Sequence, residues 1–397
     1  MSNEGTRSTH DLLIIGAGPV GLALALALKD AGLDIVLADA RPRTVVSADP
    51  RDLALAHGSR LTLQRLGVWD AIATTAIEHI HISQQGGFGR TLLDAAEHEL
   101  PALGYVVSAG GLTAALRAAV DAAGIAVMDE TEVLNLAPGA DDIIASLGGP
   151  GRPATTLSAR LAVCAEGGLR AGDPNVIEHD YQQHALIAQL GVAGGHRSTA
   201  FERFTDEGPL ALLPKDGGYA LVHVVRPDSA DALLALDDAA YLARLQAHIG
   251  NRARLTHVSK RLRYALVLRY RKSAIGQRTV WLGNAAQTLH PVAGQGFNLA
   301  LRDVWALADT LLRHCSEAAP GARRDPGNTR VLSDYARRRG LDRLGTIRFT
   351  DTLARVFSND IAPLRHARGA ALFALDVCPP LRHFIARRMM FGARAWP

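Results

Sequence analysis

The segment Asp11-Leu-Leu-Ile-Ile-Gly-Ala-Gly-Pro-Val-Gly21 decides the fold of this chain, because it joins a short apolar run to a glycine-rich turn. Residues 11–15 have the composition of a strand that is buried in a parallel sheet. Gly16, Gly18 and Gly21, with Pro19 between them, give the spacing G-x-G-x-x-G ahead of a helical run at 22–29. Such glycines allow a tight turn and let the backbone approach a pyrophosphate, which the helix N-terminus also attracts. The segment therefore predicts a dinucleotide site.

A second predicted strand, Asp34 to Asp39, supports this interpretation. It ends in an acid close to 20 residues after the glycine turn, which is the position of a residue that accepts hydrogen bonds from an adenosine ribose. We therefore expect Asp39 to bind the ribose. The alternative is a glycine turn that only packs a helix on a strand, and the motif alone does not distinguish FAD from NAD.

A second glycine-rich loop, between a predicted strand at residue 279 and a predicted helix at 299–312, lies far from the first in the sequence. Two such loops indicate one extended cofactor that is contacted at two places, since a single dinucleotide site needs only the first. An isoalloxazine ring fits the second contact, because the helix that opens near Phe297 can stabilise negative charge on a reduced flavin. The alternative is a loop that only turns a corner. The candidate residues for the flavin and the adjoining cofactor contacts are Gly283, Asn284, His290, Pro291, Gly294, Gln295, Gly296, Phe297 and Asn298.

Composition limits the class of protein. The chain has 397 residues, of which 48% are hydrophobic and 21% charged, and this describes a globular protein of two or three structural units. A net charge of +4 is too small to indicate a nucleic-acid binder. Three distant cysteines form neither a disulfide framework nor a zinc motif. His79 and His81 alternate on a predicted strand without a third ligand, so we predict no metal site.

The two loops, read together with Asp49-Pro-Arg51 and the segments Ile80–Gly89, Tyr181–Ala185 and Phe201–Pro214, resemble the ubiquinone-biosynthesis hydroxylases. Within these the chain is similar to the 2-polyprenyl-6-methoxyphenol hydroxylase branch of the para-hydroxybenzoate hydroxylase superfamily. The resemblance implies a mixed α/β fold with a Rossmann-like FAD-binding domain, an inserted β-sheet substrate domain and a helical C-terminus. The implied segments are 8–75, 105–175 and 275–330 for the FAD domain, 76–104 and 176–274 for the substrate domain, and 331–397 for the C-terminal region.

The resemblance also implies contacts for individual residues. Gly16, Gly18 and Gly21 are expected at the pyrophosphate, Arg51 at the cofactor phosphate or the flavin side, and Gly283 with Asn284 at the ribityl and pyrophosphate region. Pro291 and residues 294–298 are expected along the flavin ring. Glu166 stands where the superfamily usually has the aspartate of an Asp-Gly pair, and we expect its backbone turn to survive.

The implied reaction is hydroxylation of the aromatic ring of a polyprenylated phenol in ubiquinone biosynthesis. NAD(P)H binds transiently and reduces FAD, O₂ gives a C4a-hydroperoxyflavin, and an apolar pocket keeps water out. His290 is a candidate for ionising the phenol, or is equally a hydrogen-bonded scaffold residue. Two alternatives stay open: a soluble aromatic substrate, and a flavin-binding scaffold subunit with weak activity. The second is motivated by Glu166, Gln84, Gln85 and Gln287, where the branch often has other residues.

The C-terminal region indicates where such an enzyme would work. Residues 331–397 carry 12 Arg and 5 Asp with no Lys or Glu, and the segment from Leu381 to Trp396 mixes basic with large apolar residues. This composition suits an interfacial helix, although packing onto the body explains it equally well. We therefore expect a cytoplasmic protein that contacts the inner membrane peripherally, and that joins a ubiquinone-biosynthesis complex or forms a homo-oligomer.

Overall fold

A computed structural model describes residues 9–46, 49–169, 171–317, 325–357 and 362–392. The strands are β1 (Thr9–Ile15), β2 (Ile35–Ala38), β3 (Asp52–Ala56), β4 (Thr74–Ile77), β5 (His79–Gln84), β6 (Arg90–Asp94), β7 (Gly104–Ser108), β8 (Ala126–Met128), β9 (Glu132–Pro138), β10 (Ile143–Gly149), β11 (Arg152–Cys164), β12 (Val176–Ala193), β13 (Thr199–Phe204), β14 (Pro209–Lys215), β15 (Gly218–Val225), β16 (Arg254–Val258), β17 (Leu262–Arg271), β18 (Ile275–Gly276), β19 (Thr279–Trp281) and β20 (Gln287–Thr288). The α-helices are α1 (Pro19–Ala27), α2 (Arg43–Val46), α3 (His57–Arg65), α4 (Ala109–Ala122), α5 (Pro227–Ala235), α6 (Asp238–Ile249), α7 (Gln295–Glu317), α8 (Thr329–Phe357), α9 (Ala362–Val377) and α10 (Pro379–Phe391).

An eight-stranded sheet carries the first glycine loop. Its parallel part has the order β8-β2-β1-β11-β19, and β9, β10 and β18 extend it in antiparallel pairs. In chain order this is the arrangement 3-2-1-4-5 of a dinucleotide-binding sheet, and the direction of winding reverses between β1 and β11. Ligands of such sheets bind at the carboxyl ends of the strands at this reversal. The sheet therefore places its binding crevice just after Ile15 and Cys164.

Both faces of the parallel sheet are covered because its central strands are apolar on both sides. Leu12 and Ile14 of β1 are fully buried against a cluster that includes Leu22 of α1 and Leu301 of α7. On the other face, Leu13 packs with strands β10 and β11. A strand that is buried on both sides reads as a continuous apolar run, which is why residues 11–15 were predictive.

A nine-stranded, mainly antiparallel sheet forms the second layer. Its order is β20-β17-β12-β15-β14-β13-β5-β6, and β16 pairs with β12. One face packs on α5 and α6 through side chains such as Leu186, Leu221 and Leu245. The opposite face carries the apolar cluster of Ala185, Val224 and Leu266. Strands β3, β7 and β4 form a separate three-stranded sheet.

The last part of the described chain is helical. Helix α8 packs on α7, and α10 lies against α3 and β3. None of the described helices combines the length and the apolar composition that crossing a bilayer requires. Residues 393–397, which include Arg394 and Trp396 of the predicted interfacial segment, lie outside the described residues.

The structure confirms the predicted fold class, with small shifts of boundaries. The helix after the first loop begins at Pro19 instead of Leu22, and the helix of the second loop begins at Gln295, two residues before Phe297. Strand β20 follows the second loop's first turn and pairs with β17 of the nine-stranded sheet. The segment 275–330 therefore contributes to both large sheets, and the domain boundaries remain a prediction.

Candidate cofactor site and active site

Gly16 and Gly21 make the first loop compact at the reversal between β1 and β11. Gly16 has φ +106°, and a Cβ there would lie 2.6 Å from the Ala165 carbonyl oxygen at the end of β11. A Cβ on Gly21 would lie 1.9 Å from the Gly16 carbonyl oxygen. Both positions therefore exclude any side chain because backbone atoms occupy the space. The residues set the shape of the crevice by close packing.

Gly18 has a different role, because a Cβ at this position would meet only Arg41, at 3.9 Å. It is the N-cap of α1, and no side chain caps the helix there. Pro19 follows at the first helical position, where its missing N–H costs nothing. The helix N-terminus thus has open space and uncapped N–H groups, which fits a pyrophosphate. This is the chemistry that a dinucleotide cofactor requires at the reversal of the sheet.

Asp39 is 3% exposed and holds the end of β2 to the first loop. Its carboxylate accepts hydrogen bonds from the Ala17 N–H at 2.7 Å, the Arg41 N–H at 2.9 Å and the Arg41 guanidinium at 3.0 and 3.1 Å. Burial alone would raise the pKa of Asp39, but the hydrogen bonds from Arg41 and Ala17 outweigh it and lower the pKa. The carboxylate is therefore ionised and already has four donors. A ribose contact, which stays a prediction, would compete with Arg41.

The second loop reaches the first through Gly283. Its φ is +57°, and a Cβ there would lie 3.0 Å from Val20 in the first turn of α1. The Leu282 N–H donates to the Cys164 carbonyl at 2.9 Å, so this turn also borders the end of β11, two residues before Glu166. Gly167 after Glu166 has φ +85°, and the expected Glu-Gly turn is therefore present. Asn284 is exposed beside them.

Arg51 lies just before β3 and is paired with Asp49. Its guanidinium donates to both oxygens of that carboxylate, at 2.5 to 3.1 Å, and half of its side chain is exposed. The Arg51 carbonyl accepts from the Ala109 N–H at 2.9 Å. Its predicted contact with the cofactor stays a prediction, since binding a phosphate would require this ion pair to open or to share its donors.

The remaining predicted contacts lie where the second loop enters α7. Gly294 has φ +58° and approaches Ala54 of β3. A Cβ on Gly296, in contrast, would have no neighbour within 4 Å. Helix α7 begins directly after this turn, so the positive end of its dipole lies at the loop. Pro291 is half-buried, and Phe297 packs against the main core. The Gln295 amide donates to the Met389 carbonyl of α10 at 3.3 Å. The open side of this turn fits the edge of a flavin ring.

Asn298 fastens the second loop to β3 and α3. Its amide oxygen accepts from the Ala56 N–H at 2.8 Å and from the Ser59 hydroxyl at 2.6 Å. Its amide nitrogen donates to the carbonyls of Ala54 at 2.9 Å and Gly294 at 2.7 Å. The side chain has thus no hydrogen-bonding capacity left. The predicted flavin contact of Asn298 would have to come from its backbone.

His290 is 1% exposed, and both of its ring nitrogens have partners. Nδ1 accepts the Val292 N–H at 3.1 Å, and Nε2 lies 3.3 Å from the Gln183 amide oxygen. An acceptor at Nδ1 and a donor at Nε2 define a neutral tautomer. Burial lowers the pKa of His290 to about 4, against an opposing contribution from Asp351. This geometry favours the scaffold alternative over proton abstraction.

A buried polar network supports the second loop from below; we call Gln287, Asp303, Arg339, Asp342 and Arg343 the interhelical network. The Gln287 amide donates to Asp303 at 2.8 Å and accepts from Arg343 at 2.7 Å. Arg339 donates to Asp303 at 2.6 Å and pairs with Asp342 at 2.7 Å. The network joins β20 to α7 and α8. It explains why a glutamine is accommodated at position 287.

Sequence reasoning missed most of the residues that position the second loop. Gln183 lies at an irregularity of β12, between Asp180 and His184, which directs it toward His290. Tyr181 packs its ring edgewise on His290, with centroids 5.0 Å apart, and donates to Asp351 at 2.9 Å. The segment 181–185 was singled out as a whole, but no signal in it indicated which side chain would meet His290.

These features define the class of protein. A parallel sheet with a glycine turn at its reversal, and a second loop that meets the first, belong to an oxidoreductase that binds an extended dinucleotide cofactor. Residues 9–326 match the model of the FAD binding domain family, and the chain belongs to this family. It is an FAD-dependent monooxygenase.

Sequence relatives agree with this assignment, and a solved structure shares the fold. The chain is 32% identical to the ubiquinone hydroxylase UbiL of Rhodospirillum rubrum, over 98% of this chain and 91% of that protein. It is 29% identical to the 3-demethoxyubiquinol 3-hydroxylase of Escherichia coli, over 95% and 96% of the two chains. The crystal structure of p-nitrophenol 4-monooxygenase PnpA from Pseudomonas putida superposes with a TM-score of 0.78, at 17% identity, over 98% of this chain and all of the other. This last similarity concerns the fold.

Proposed function

We propose that this monooxygenase hydroxylates the aromatic ring of a polyprenylated phenol in ubiquinone biosynthesis. NAD(P)H and O₂ are consumed, one oxygen atom enters the ring and the other leaves as water. The names of the relatives support the substrate class. The observation that carries the proposal is the apolar face of the nine-stranded sheet, with Ala185, Val224 and Leu266, which borders Tyr181 and through it the second loop.

The residues of the two loops would hold the cofactor in this proposal. Gly18 and the N-terminus of α1 bind the pyrophosphate, Gly283 borders it, and the N-terminus of α7 with Gly294 and Gly296 faces the flavin ring. FAD supplies the redox chemistry, accepting hydride from NAD(P)H and activating O₂. The chain itself binds, orients and excludes water, and the N-terminal dipole of α7 stabilises negative charge near the ring.

The apolar face has a direct chemical purpose. An aromatic ring must be held close to the flavin while water is excluded, because water competes with productive oxygen transfer. We propose that the segments 76–104 and 176–274 form the substrate domain that supplies this cover. His290 holds Gln183 and the Val292 N–H in place beneath it, so its contribution is to position the loop.

Anaerobic reduction of the bound flavin tests the proposal. We expect NADPH or NADH to bleach the flavin absorbance, and a short-chain polyprenylphenol to accelerate bleaching and to be hydroxylated once O₂ is admitted. The matched control is the same phenol without the prenyl chain. Equal acceleration and product formation by the control would favour a soluble aromatic substrate. Bound flavin that neither nicotinamide reduces would contradict the proposal and favour a scaffold subunit.

We further propose that α9 and α10 contact the membrane that holds such a lipid substrate. Phe373, Val377, Leu381 and Phe384 on these helices are between 43% and 62% exposed, and Arg387 beside them is exposed as well. Apolar side chains flanked by arginine suit the surface of an anionic bilayer.

Flotation with anionic liposomes at low salt tests this contact. We expect the protein to float with the liposomes, and the double variant Phe373→Ser/Phe384→Ser to remain at the bottom of the gradient. Leu341→Ser is the matched control, because Leu341 is 87% exposed on α8, outside this patch. If the double variant floats as well as the control, α9 and α10 are not the membrane contact.

A further inference from the structure

Three side chains that the flavin chemistry does not use converge on the helix-covered face of the nine-stranded sheet. Glu207 lies in the turn between β13 and β14, His223 in β15, and His248 in the last turn of α6. Neighbouring Val224 points to the opposite, apolar face. Because side chains alternate along a strand, His223 points away from the candidate active site. The cluster is therefore separate from both glycine loops.

The distances within this cluster suit a metal ion. Oε2 of Glu207 lies 3.1 Å from Nε2 of His248 and 3.4 Å from Nε2 of His223. One ligand atom from each residue lies within 4.8 Å of the others. Tetrahedral Zn²⁺ with ligands at 2.0–2.1 Å separates neighbouring ligand atoms by about 3.3 Å. Two of the three pairs of ligand atoms therefore already lie close to this separation.

Each histidine is oriented through its other nitrogen. Nδ1 of His248 lies 2.8 Å from the Gln85 amide oxygen, and Nδ1 of His223 lies 3.3 Å from the Tyr241 hydroxyl. Donation from Nδ1 to an amide oxygen leaves the lone pair of Nε2 directed at the carboxylate. Fixing Nδ1 with a polar partner is how proteins orient histidine ligands.

The inward atoms are buried without satisfied hydrogen bonds. Oε2 of Glu207 and Nε2 of both histidines form none of acceptable geometry with any of the residues that the structure describes. His223 is fully buried, and the side chains of His248 and Glu207 are 7% and 11% exposed. Unsatisfied polar atoms in such positions carry a free-energy cost, which a bound ion removes. Arg244 occupies the other oxygen of Glu207, and Asp206 lies 4.0 Å from Nδ1 of His248 on the exposed side.

We propose that Glu207, His223 and His248 bind one divalent transition-metal ion, of which Zn²⁺ suits two imidazoles and a carboxylate. The ion ties the β13–β14 turn to β15 and α6, and water completes its coordination. Its role is to stabilise the helix-covered side of the sheet. The competing explanation is a metal-free cluster in which a protonated histidine pairs with Glu207.

Metal binding to the full-length flavoprotein separates the two explanations. The protein is stripped with a chelator and titrated with Zn²⁺ by calorimetry, and Co²⁺ is used as a spectroscopic probe. We expect one equivalent to bind with a dissociation constant of about 1 µM or tighter, and Co²⁺ to give the strong visible bands of a tetrahedral site. Absence of saturable binding at one equivalent would establish the metal-free cluster and overturn the proposal.

Variants assign the site. His248→Gln should weaken Zn²⁺ binding more than about 100-fold, and Gln85→Leu, which keeps all three ligands, about 10-fold or more. The latter remains informative if removal of a ligand prevents folding. His257→Gln is the matched control, because His257 is exposed on β16 of the same sheet. Unchanged affinity in both cluster variants, or an equal loss in the control, would contradict the assignment.

Discussion

The two glycine loops meet at one site but are held in opposite ways. Gly16 and Gly21 of the first loop are packed against backbone atoms of the same crevice. The second loop relies on buried side chains: the four hydrogen bonds of Asn298, the two of His290 and the interhelical network below Gln287. The first loop therefore depends mainly on close packing of backbone atoms, with one polar contact from the Ala17 N–H to Asp39, whereas the second depends mainly on buried polar side chains.

The difference teaches which substitutions each loop tolerates. A closely packed loop is disrupted when atoms are added, because protein interiors have no spare volume. A loop held by polar side chains is disrupted when a partner is removed, because a buried group is left without its hydrogen bond or counter-charge. We therefore expect small-to-large changes to disrupt the first loop, and large-to-small or charge-removing changes to disrupt the second.

The largest effect is expected for Asp303→Leu in the interhelical network. Asp303 is 1% exposed, and its loss leaves the buried Arg339 with one carboxylate partner and Gln287 with an unpaired donor. Breaking a buried charge pair in this way should lower the free energy of unfolding by about 3–5 kcal/mol. Asp309→Leu on the same helix is the control, with an expected loss below about 1 kcal/mol, because its ion pairs are partly exposed. Urea unfolding measures both, and equal losses would show that the network does not hold the loop.

Gly21→Ala should have the next largest effect. The added methyl group would lie 1.9 Å from the Gly16 carbonyl oxygen, and we expect a loss of about 3 kcal/mol together with loss of bound FAD. Gly18→Ala has open space and should leave the free energy of unfolding nearly unchanged while FAD binding weakens. Thermal unfolding and flavin content, measured on both variants, test the steric description. The steric description would be wrong if Gly21→Ala and Gly18→Ala lowered the free energy of unfolding equally.

Asn298→Ala should lower the free energy of unfolding by about 2 kcal/mol. It removes the acceptor of the Ala56 N–H and the donor of the Ala54 and Gly294 carbonyls, and each buried group left unpaired costs about 1–3 kcal/mol before relaxation. Asn284→Ala in the same loop is exposed and should change the free energy of unfolding by less than about 0.5 kcal/mol. Equal urea midpoints for the two variants would show that the side chain of Asn298 does not hold the second loop in place.

The contrast between the loops also explains what the sequence could predict. The G-x-G-x-x-G loop and its strand are adjacent in sequence, so spacing alone predicted the strand, the glycine turn and the helix that the structure shows there, while their contacts with the cofactor stay predictions. Three of the four partners of Asn298 lie 239 to 244 positions away, and nothing in the sequence around Asn298 indicated Ala54, Ala56 or Ser59. Glu207, His223 and His248 follow no motif spacing, and they meet only because α6 folds over the sheet. Gln85, noticed as a departure from the family pattern, contacts His248 of that cluster.

The smallest effect near neutral pH concerns the protonation of His290. Burial holds the pKa of this side chain at about 4 in the folded protein, whereas an unfolded histidine titrates near 6.5. The unfolded chain therefore binds more protons between these values, and stability decreases as the pH falls below about 6.5. Protonation of His290 in the unfolded chain should lower the free energy of unfolding by about 1 kcal/mol at pH 6 and by about 2 kcal/mol at pH 5, and this loss should level off below pH 4.

His290→Gln should remove this component, so the difference in the free energy of unfolding between variant and wild type should change with pH in the sense that the variant loses less on acidification. His257→Gln, at an exposed position, should retain the wild-type slope.

The same protein preparations decide between scaffold and catalyst. A residue whose Nδ1 already accepts a backbone N–H can position the loop without taking a proton from the substrate, so His290→Gln with bound FAD should retain wild-type turnover. A drop in turnover at full flavin occupancy would instead assign His290 to the chemistry, and the second loop would then be catalytic as well as structural.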